Sequence, residues 1–150
     1  MQKITPFLWY DDQAEAAAKF YCSVFKNSKI IRVNRNGKKA SSVTFRVNGL
    51  ELIAFNGGPH FKFTYAISLF VHCKTQREVH GLWNKLSKGG KKGRCGWLKD
   101  KYGLSWQIIP AILGDLLGDK NPAKSERAFD AMMKMNKIDI KELKRAVSQK

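Results

Sequence analysis

The chain has 150 residues and a mass of 17.1 kDa, enough for one ordinary domain whose core needs no disulfide or structural metal. Its 43% hydrophobic and 27% charged residues exclude a disordered chain, no apolar run approaches the roughly 20 residues of a membrane span, and Met1–Pro6 has no apolar secretory core. With 28 Lys and Arg against 12 Asp and Glu, the net charge of +16 predicts weak, salt-dependent attraction to nucleic acid. It does not make a nucleic-acid module, because no recognition helix, RNP-type aromatic strand or zinc finger accompanies it.

In chain order, Ile4–Tyr10 reads as a strand, and Asp12-Gln13-Ala14-Glu15 as a capping box that opens a helix. That helix carries Ala14, Ala17, Ala18, Tyr21, Val24 and Phe25 on one face, the spacing of an element packed on a sheet. Three strands follow, Lys29–Asn34, Ser41–Val47 and Leu50–Asn56. They are separated by Asn36-Gly37 and Asn48-Gly49, the dipeptides that suit type I′ hairpin turns. The same grammar then returns. Ile67–His72 reads as a strand, Thr75-Gln76-Arg77-Glu78 as a second capping box, and Val79, Leu82, Trp83 and Leu86 as the buried face of a second helix ended by Gly89-Gly90. Arg94–Lys99 and Leu104–Ile109 follow as strands around a turn at Asp100–Gly103.

From Pro110 the pattern becomes helical: Ala111–Gly118, a helix opened by Asn121-Pro122 with the stripe Ala128, Phe129, Met132 and Met133, and a last helix over Ile140–Val147. Met132, Met133 and Met135 read as core or subunit-contact residues. The predicted class is α+β: two paired βαβββ modules forming a curved mixed sheet with a concave cleft, and a C-terminal helical appendage. The whole is expected to be a single domain, with module one at about 1–60, module two at about 61–110 and the tail at about 111–150. Cys22, Cys73 and Cys95, odd in number and without CxxC spacing, predict free thiols in a reducing cytoplasm, with Cys22 buried beside Tyr21.

The residues also resemble a family. Ile4-Thr5-Pro6-Phe7-Leu8-Trp9-Tyr10, Phe20-Tyr21, Val24-Phe25, Phe55-Asn56-Gly57-Gly58-Pro59-His60-Phe61, Cys95–Gly103 and Ser105-Trp106-Gln107 are similar to the PhnB-like branch of the vicinal oxygen chelate superfamily, alongside glyoxalase I, extradiol dioxygenases and bleomycin-resistance proteins. The similarity is read through the helical tail, including Lys134–Asp139. It implies a cup-shaped site and a homodimer. A demethylubiquinone methyltransferase label accompanies such proteins, but this sequence has no glycine-rich nucleotide loop for S-adenosylmethionine.

Metalloenzymes of the superfamily hold a divalent metal with His or Glu from four strands. Carried over motif by motif, those positions fall on Thr5 or Pro6, Leu52, Ala66 and Gln107, and Glu51 needs a register slip to replace Leu52. No competent ligand set results, so no cofactor is expected and a metal-dependent glyoxalase or dioxygenase mechanism is disfavoured. The expected activity is binding of a small, partly aromatic or amphipathic molecule in a cup lined by Trp9, Asn56, His60 and Gln107. Gln107 offers a neutral amide at a ligand position, and His60 sits in a Gly57-Gly58-Pro59 loop that can aim it over a cleft. One competitor is a non-metal enzyme using His60 as acid or base. The other is a basic nucleic-acid-associated protein.

Overall fold

A computed structural model describes residues 2–149. The chain divides into two compact units, one up to Phe63 and the other from Thr64, and each contains one βαβββ module. The fold is α+β, with two four-stranded mixed sheets and five helices.

In the first unit β1 (Phe7–Tyr10), α1 (Ala14–Val24), β2 (Lys29–Asn36), β3 (Lys39–Val47) and β4 (Leu50–Asn56) give the sheet order β1-β4-β3-β2. β1 runs parallel to β4, and the other pairs are antiparallel. Period-two alternation puts Leu8, Tyr10, Val43, Phe45, Val47, Leu52 and Ala54 in the core beneath Ala14, Ala17, Ala18 and Tyr21 of α1. The small alanines let the helix lie close to the sheet. Tyr21 fills the remaining space, stacked 6.2 Å from Phe45, with its hydroxyl 3.1 Å from that of Tyr10.

Several local expectations change. β1 begins at Phe7 rather than Ile4. The Asp12 capping box does not form: Gln13 holds the N-cap position without a side-chain bond, and the Ala14 N–H donates instead to Asn56 Oδ1 at 2.8 Å. Freed from the cap, Glu15 pairs with Arg35 at 2.6 Å, and the hydrogen bonds from that guanidinium lower its carboxyl pKa. The first hairpin turns one residue later than expected. Asn36 pairs with Lys39, and only Gly37 of the central Gly37-Lys38 has positive φ, as a type II′ turn requires. Asn48 and Gly49 both have positive φ between paired Val47 and Leu50, the expected type I′ turn.

The second unit repeats the plan with β5 (Ser68–Cys73), α2 (Gln76–Ser87), β6 (Lys91–Lys92), β7 (Trp97–Lys99) and β8 (Ser105–Pro110) in the order β5-β8-β7-β6. The strand expected over Arg94–Lys99 begins only at Trp97, because Gly93 and the positive-φ Cys95-Gly96 pair turn the chain between β6 and β7. The Thr75 cap forms as expected: its hydroxyl accepts from the Glu78 N–H at 3.1 Å, while Glu78 Oε2 accepts from the Lys74 N–H. Val79, Leu82, Trp83 and Leu86 of α2 are buried against the side of the sheet that carries Leu98, Trp106 and Ile108.

The tail forms α3 (Ala111–Leu117), α4 (Pro122–Met133) and α5 (Ile140–Ser148), the last two capped by Asn121 and Asp139. Its core joins Leu113, Ile138 and Leu143 to Ile109 of β8, with Met132 and Met135 packed alongside. Phe129 and Met133 of the expected stripe lie outside this core, 48% and 43% exposed. The Gln76 side chain ties the tail to the start of α2, donating to the Ile138 carbonyl at 2.9 Å and accepting from the Ile140 N–H at 2.8 Å. No helix among the described residues is long and apolar enough to cross a membrane.

Candidate functional site

Each sheet has one face under its helix and one turned away from it. The turned-away face of the second sheet brings Gln107 together with residues outside the expected cup lining. Trp97 and Phe70 are its register partners on β7 and β5, so all three project from the same side, opposite the buried Leu98 and Trp106. Gln107 Nε2 donates to Ser68 Oγ at 3.0 Å, which orients the amide and leaves its oxygen as an acceptor. Two residues along β8, Ser105 shares this face, and its buried hydroxyl has no hydrogen-bond partner among the described residues. Phe70 is 47% exposed and Tyr65, whose ring lies 6.2 Å from Trp97, is 59% exposed. Lys99 Nζ sits 4.7 Å from the centre of the Tyr65 ring, a cation–π contact. The signal for this grouping was in the Asp100–Gly103 turn, since closing it with Lys99 opposite Ser105 sets Trp97 opposite Gln107.

The turn is held by one carboxylate. Asp100, 2% exposed, accepts from the Tyr102 and Leu104 N–H groups with Oδ1 and from Trp106 Nε1 with Oδ2. It therefore fixes β8 against the turn and Trp106 in the core, and with them the register that aligns Gln107.

The other three predicted site residues belong to the first unit. Trp9 lies on the sheet face turned away from α1, edge-on to Phe55 and Phe61 at 5.0 and 4.9 Å, and its Nε1 donates to the Gly58 carbonyl at 3.0 Å. Its polar atom is thus engaged, and the ring presents an apolar wall. The loop below it is drawn tight by Gly57 and Gly58 N–H bonds to the carbonyls of Tyr10 and Asp11. A Cβ on Gly57 would stand 2.2 Å from the Trp9 ring, so this position demands glycine. His60 is exposed beside Gly58. Asn56 has both ends of its amide engaged by backbone, through the Ala14 N–H and the Ala40 carbonyl.

The carried-over metal positions do not make a binding set. Leu52 pairs with Phe45 and is buried toward α1, whereas Glu51 projects from the opposite face. The strand therefore needs no slip to present Glu51. Gln107 supplies an amide already bonded to Ser68, and no group of three or more His, Cys, Asp or Glu side chains lies together among the described residues. These donors do not fit a divalent ion.

The thiols are unpaired. Burial raises the pKa of Cys22, which is half-buried rather than buried and donates to the Arg46 carbonyl. Burial, reinforced by the nearby Glu78 carboxylate, pushes the fully covered Cys73 up to about 12.

A family model for 3-demethylubiquinone-9 3-methyltransferase matches residues 2–109. The PhnB protein of Bacillus cereus, which carries the same methyltransferase name, is 35% identical, with a TM-score of 0.69 over 73% of this chain and 100% of its own. Protein PA1353 from Pseudomonas aeruginosa has a TM-score of 0.62 at 16% identity, over 73% of this chain and 98% of its own. The fosfomycin resistance protein FosX from Listeria monocytogenes, in its hexagonal form, has a TM-score of 0.53 at 15% identity, over 74% and 93%. No curated protein matches the sequence. The family model ends at residue 109, so the helical tail, over which the resemblance was also read, lies beyond it. Two βαβββ modules, the matched residues and the Bacillus cereus relative together place this chain in the PhnB-like, 3-demethylubiquinone-9 3-methyltransferase-type family.

Proposed function

We propose that the protein binds a small, partly aromatic molecule on the turned-away face of the second sheet, without a metal, and that Gln107 is the amide anchor of that site. The observation that carries this reading is the polar group set into an aromatic face. The Gln107 amide is oriented by Ser68, flanked by Trp97 and Phe70, and neighboured by a buried Ser105 hydroxyl that has no partner among the described residues. Unpaired buried hydroxyls are rare and call for a ligand or an ordered water. Apolar walls with few fixed polar groups are the usual make-up of a small-molecule site.

Within the first unit by itself, Trp9 presents an apolar wall and His60 an exposed polar side chain. The amide of Asn56, occupied at both ends, contributes by holding α1 rather than by meeting a ligand.

The test is native mass spectrometry of protein incubated with fractionated metabolite extracts, followed by titration of whatever is retained. Gln107→Ala should weaken that ligand by about 1–3 kcal/mol, the cost of one hydrogen bond at a site. Undiminished affinity in Gln107→Ala would remove the residue from the site.

A further inference from the structure

The hairpin edge of the second sheet carries an open concavity of about 510 Å³, lined by Tyr65, Lys91, Lys92, Gly93, Arg94, Trp97 and Asn136. Its charge is uncompensated. Between Val79 and Gly114 the only acid is Asp100, and that carboxylate is buried and committed to two backbone N–H groups and Trp106. The ion pairs Lys19–Glu15, Arg35–Glu15 and Arg145–Glu142 use none of Lys91, Lys92, Arg94 or Lys99. Arg94 is nevertheless held in place, since its Nη2 donates to the Met133 carbonyl of the tail. A guanidinium pinned at one nitrogen keeps further N–H groups with which to fork a carboxylate or phosphate.

The concavity also has a flat side. Tyr65 and Trp97 meet at 69° with centroids 6.2 Å apart, and Lys99 lies over the Tyr65 ring. A planar ring has somewhere to pack while its charged end reaches the cations. Asn136, presented by the tail whose Met135 and Asn136 carbonyls accept from the Cys95 and Gly96 N–H groups, adds an amide at the rim. It also places part of this concavity outside the residues matched by the family model.

We infer that the ligand is an aromatic anion, an aryl phosphate or aryl carboxylate, whose ring packs on Trp97 and Tyr65 and whose charged group is held by Lys91 and Arg94. The inference rests on the turned-away face being a binding surface and adds the chemical class of what binds. Trp97 joins the two arguments, lining the concavity and standing opposite Gln107. Neutral aromatics lose the ionic contacts, and inorganic phosphate loses the ring contact, so the class is recognised by both together.

Isothermal titration at moderate salt with 1-naphthyl phosphate, 1-naphthol and inorganic phosphate tests this directly. Saturable binding of 1-naphthyl phosphate is expected, at least tenfold tighter than either of the others. Arg94→Ala and Lys91→Ala should each weaken it severalfold and together by tenfold or more, with the circular dichroism spectrum unchanged. Absence of saturable binding, or inorganic phosphate binding as tightly as the naphthyl ester, overturns the inference. Equal binding of 1-naphthol and its phosphate that depends on Gln107 also overturns it, while leaving the small-molecule reading in place. Binding lost in Arg94→Ala but unaffected by Gln107→Ala supports the anion site and removes Gln107 as anchor.

Discussion

The Asn56 side chain, at the last position of β4, accepts the Ala14 N–H at 2.8 Å, so the end of a strand caps a helix that began 42 residues earlier. Its other end donates to the Ala40 carbonyl at 2.9 Å and so joins β4 to β3 as well. Replacing Asn56 by Ala should cost about 1–3 kcal/mol in urea denaturation, from a lost cap and a second lost bond. Asn56→Asp keeps the acceptor and loses only the donor, so it should retain more stability than the alanine variant. Equal losses in the two variants would contradict the capping role.

Asp100 supports a parallel expectation in the second unit. Asp100→Asn turns one carboxylate oxygen into an N–H donor, which must face either Trp106 Nε1 or the Tyr102 and Leu104 N–H groups. Either placement sets donor against donor in a buried site, at about 2–3 kcal/mol. Thermal unfolding should show the loss.

Thiol reactivity should rank with burial. With its pKa near 12, only about one Cys73 in 10⁴ is a thiolate at pH 8, and the group is covered as well. The folded protein should therefore leave Cys73 unlabelled by iodoacetamide while half-exposed Cys95 reacts. Raising the pH toward 10 should do little for Cys73. Peptide mapping that finds Cys73 labelled first would place this part of β5 elsewhere.

Elemental analysis of protein purified without chelator should find less than about 0.1 equivalent of transition metal per chain, given donors that do not fit a divalent ion. One metal per chain that survives dialysis and is lost in Gln107→Ala or Glu51→Ala would reverse this expectation.

The exposed apolar side chains of α4, Phe129 and Met133, accord with the family expectation of a homodimer. Light scattering should give twice the 17.1 kDa chain mass at micromolar concentration. Phe129→Glu would then lower that mass if α4 is part of the contact, and a wild-type mass of one chain would end the proposal.

The sequence made legible what depends on neighbours in the chain. The amphipathic faces of α1 and α2, the Thr75 cap and the Asn48-Gly49 turn all rest on residues at most a few positions apart. Features set across the sheet were less readable. The α1 cap comes from Asn56, and nothing near Asp12 signals that its own side chain will be passed over. The Leu52 carry-over failed for the same reason, because the face a strand residue takes follows from its pairing with Phe45 and the position of α1. At the site, Gln107 could be picked out singly, whereas its company of Ser68, Phe70, Trp97 and Ser105 follows only from strand register. The three-residue β7 and the two-residue β6 are too short to show a period at all.

The two bonds from Gln76 to Ile138 and Ile140 set a timetable for synthesis. Gln76 leaves the ribosome more than sixty residues before its partners, and the Ile109 side chain that the tail covers waits about thirty residues for Ile138. Throughout that interval the second module carries a bare apolar end. A nascent chain stalled near residue 130, or a product clipped in the loop before α5, would expose the same patch and become a natural substrate for chaperones and proteases. Once α5 has packed, the patch is covered and that signal is gone.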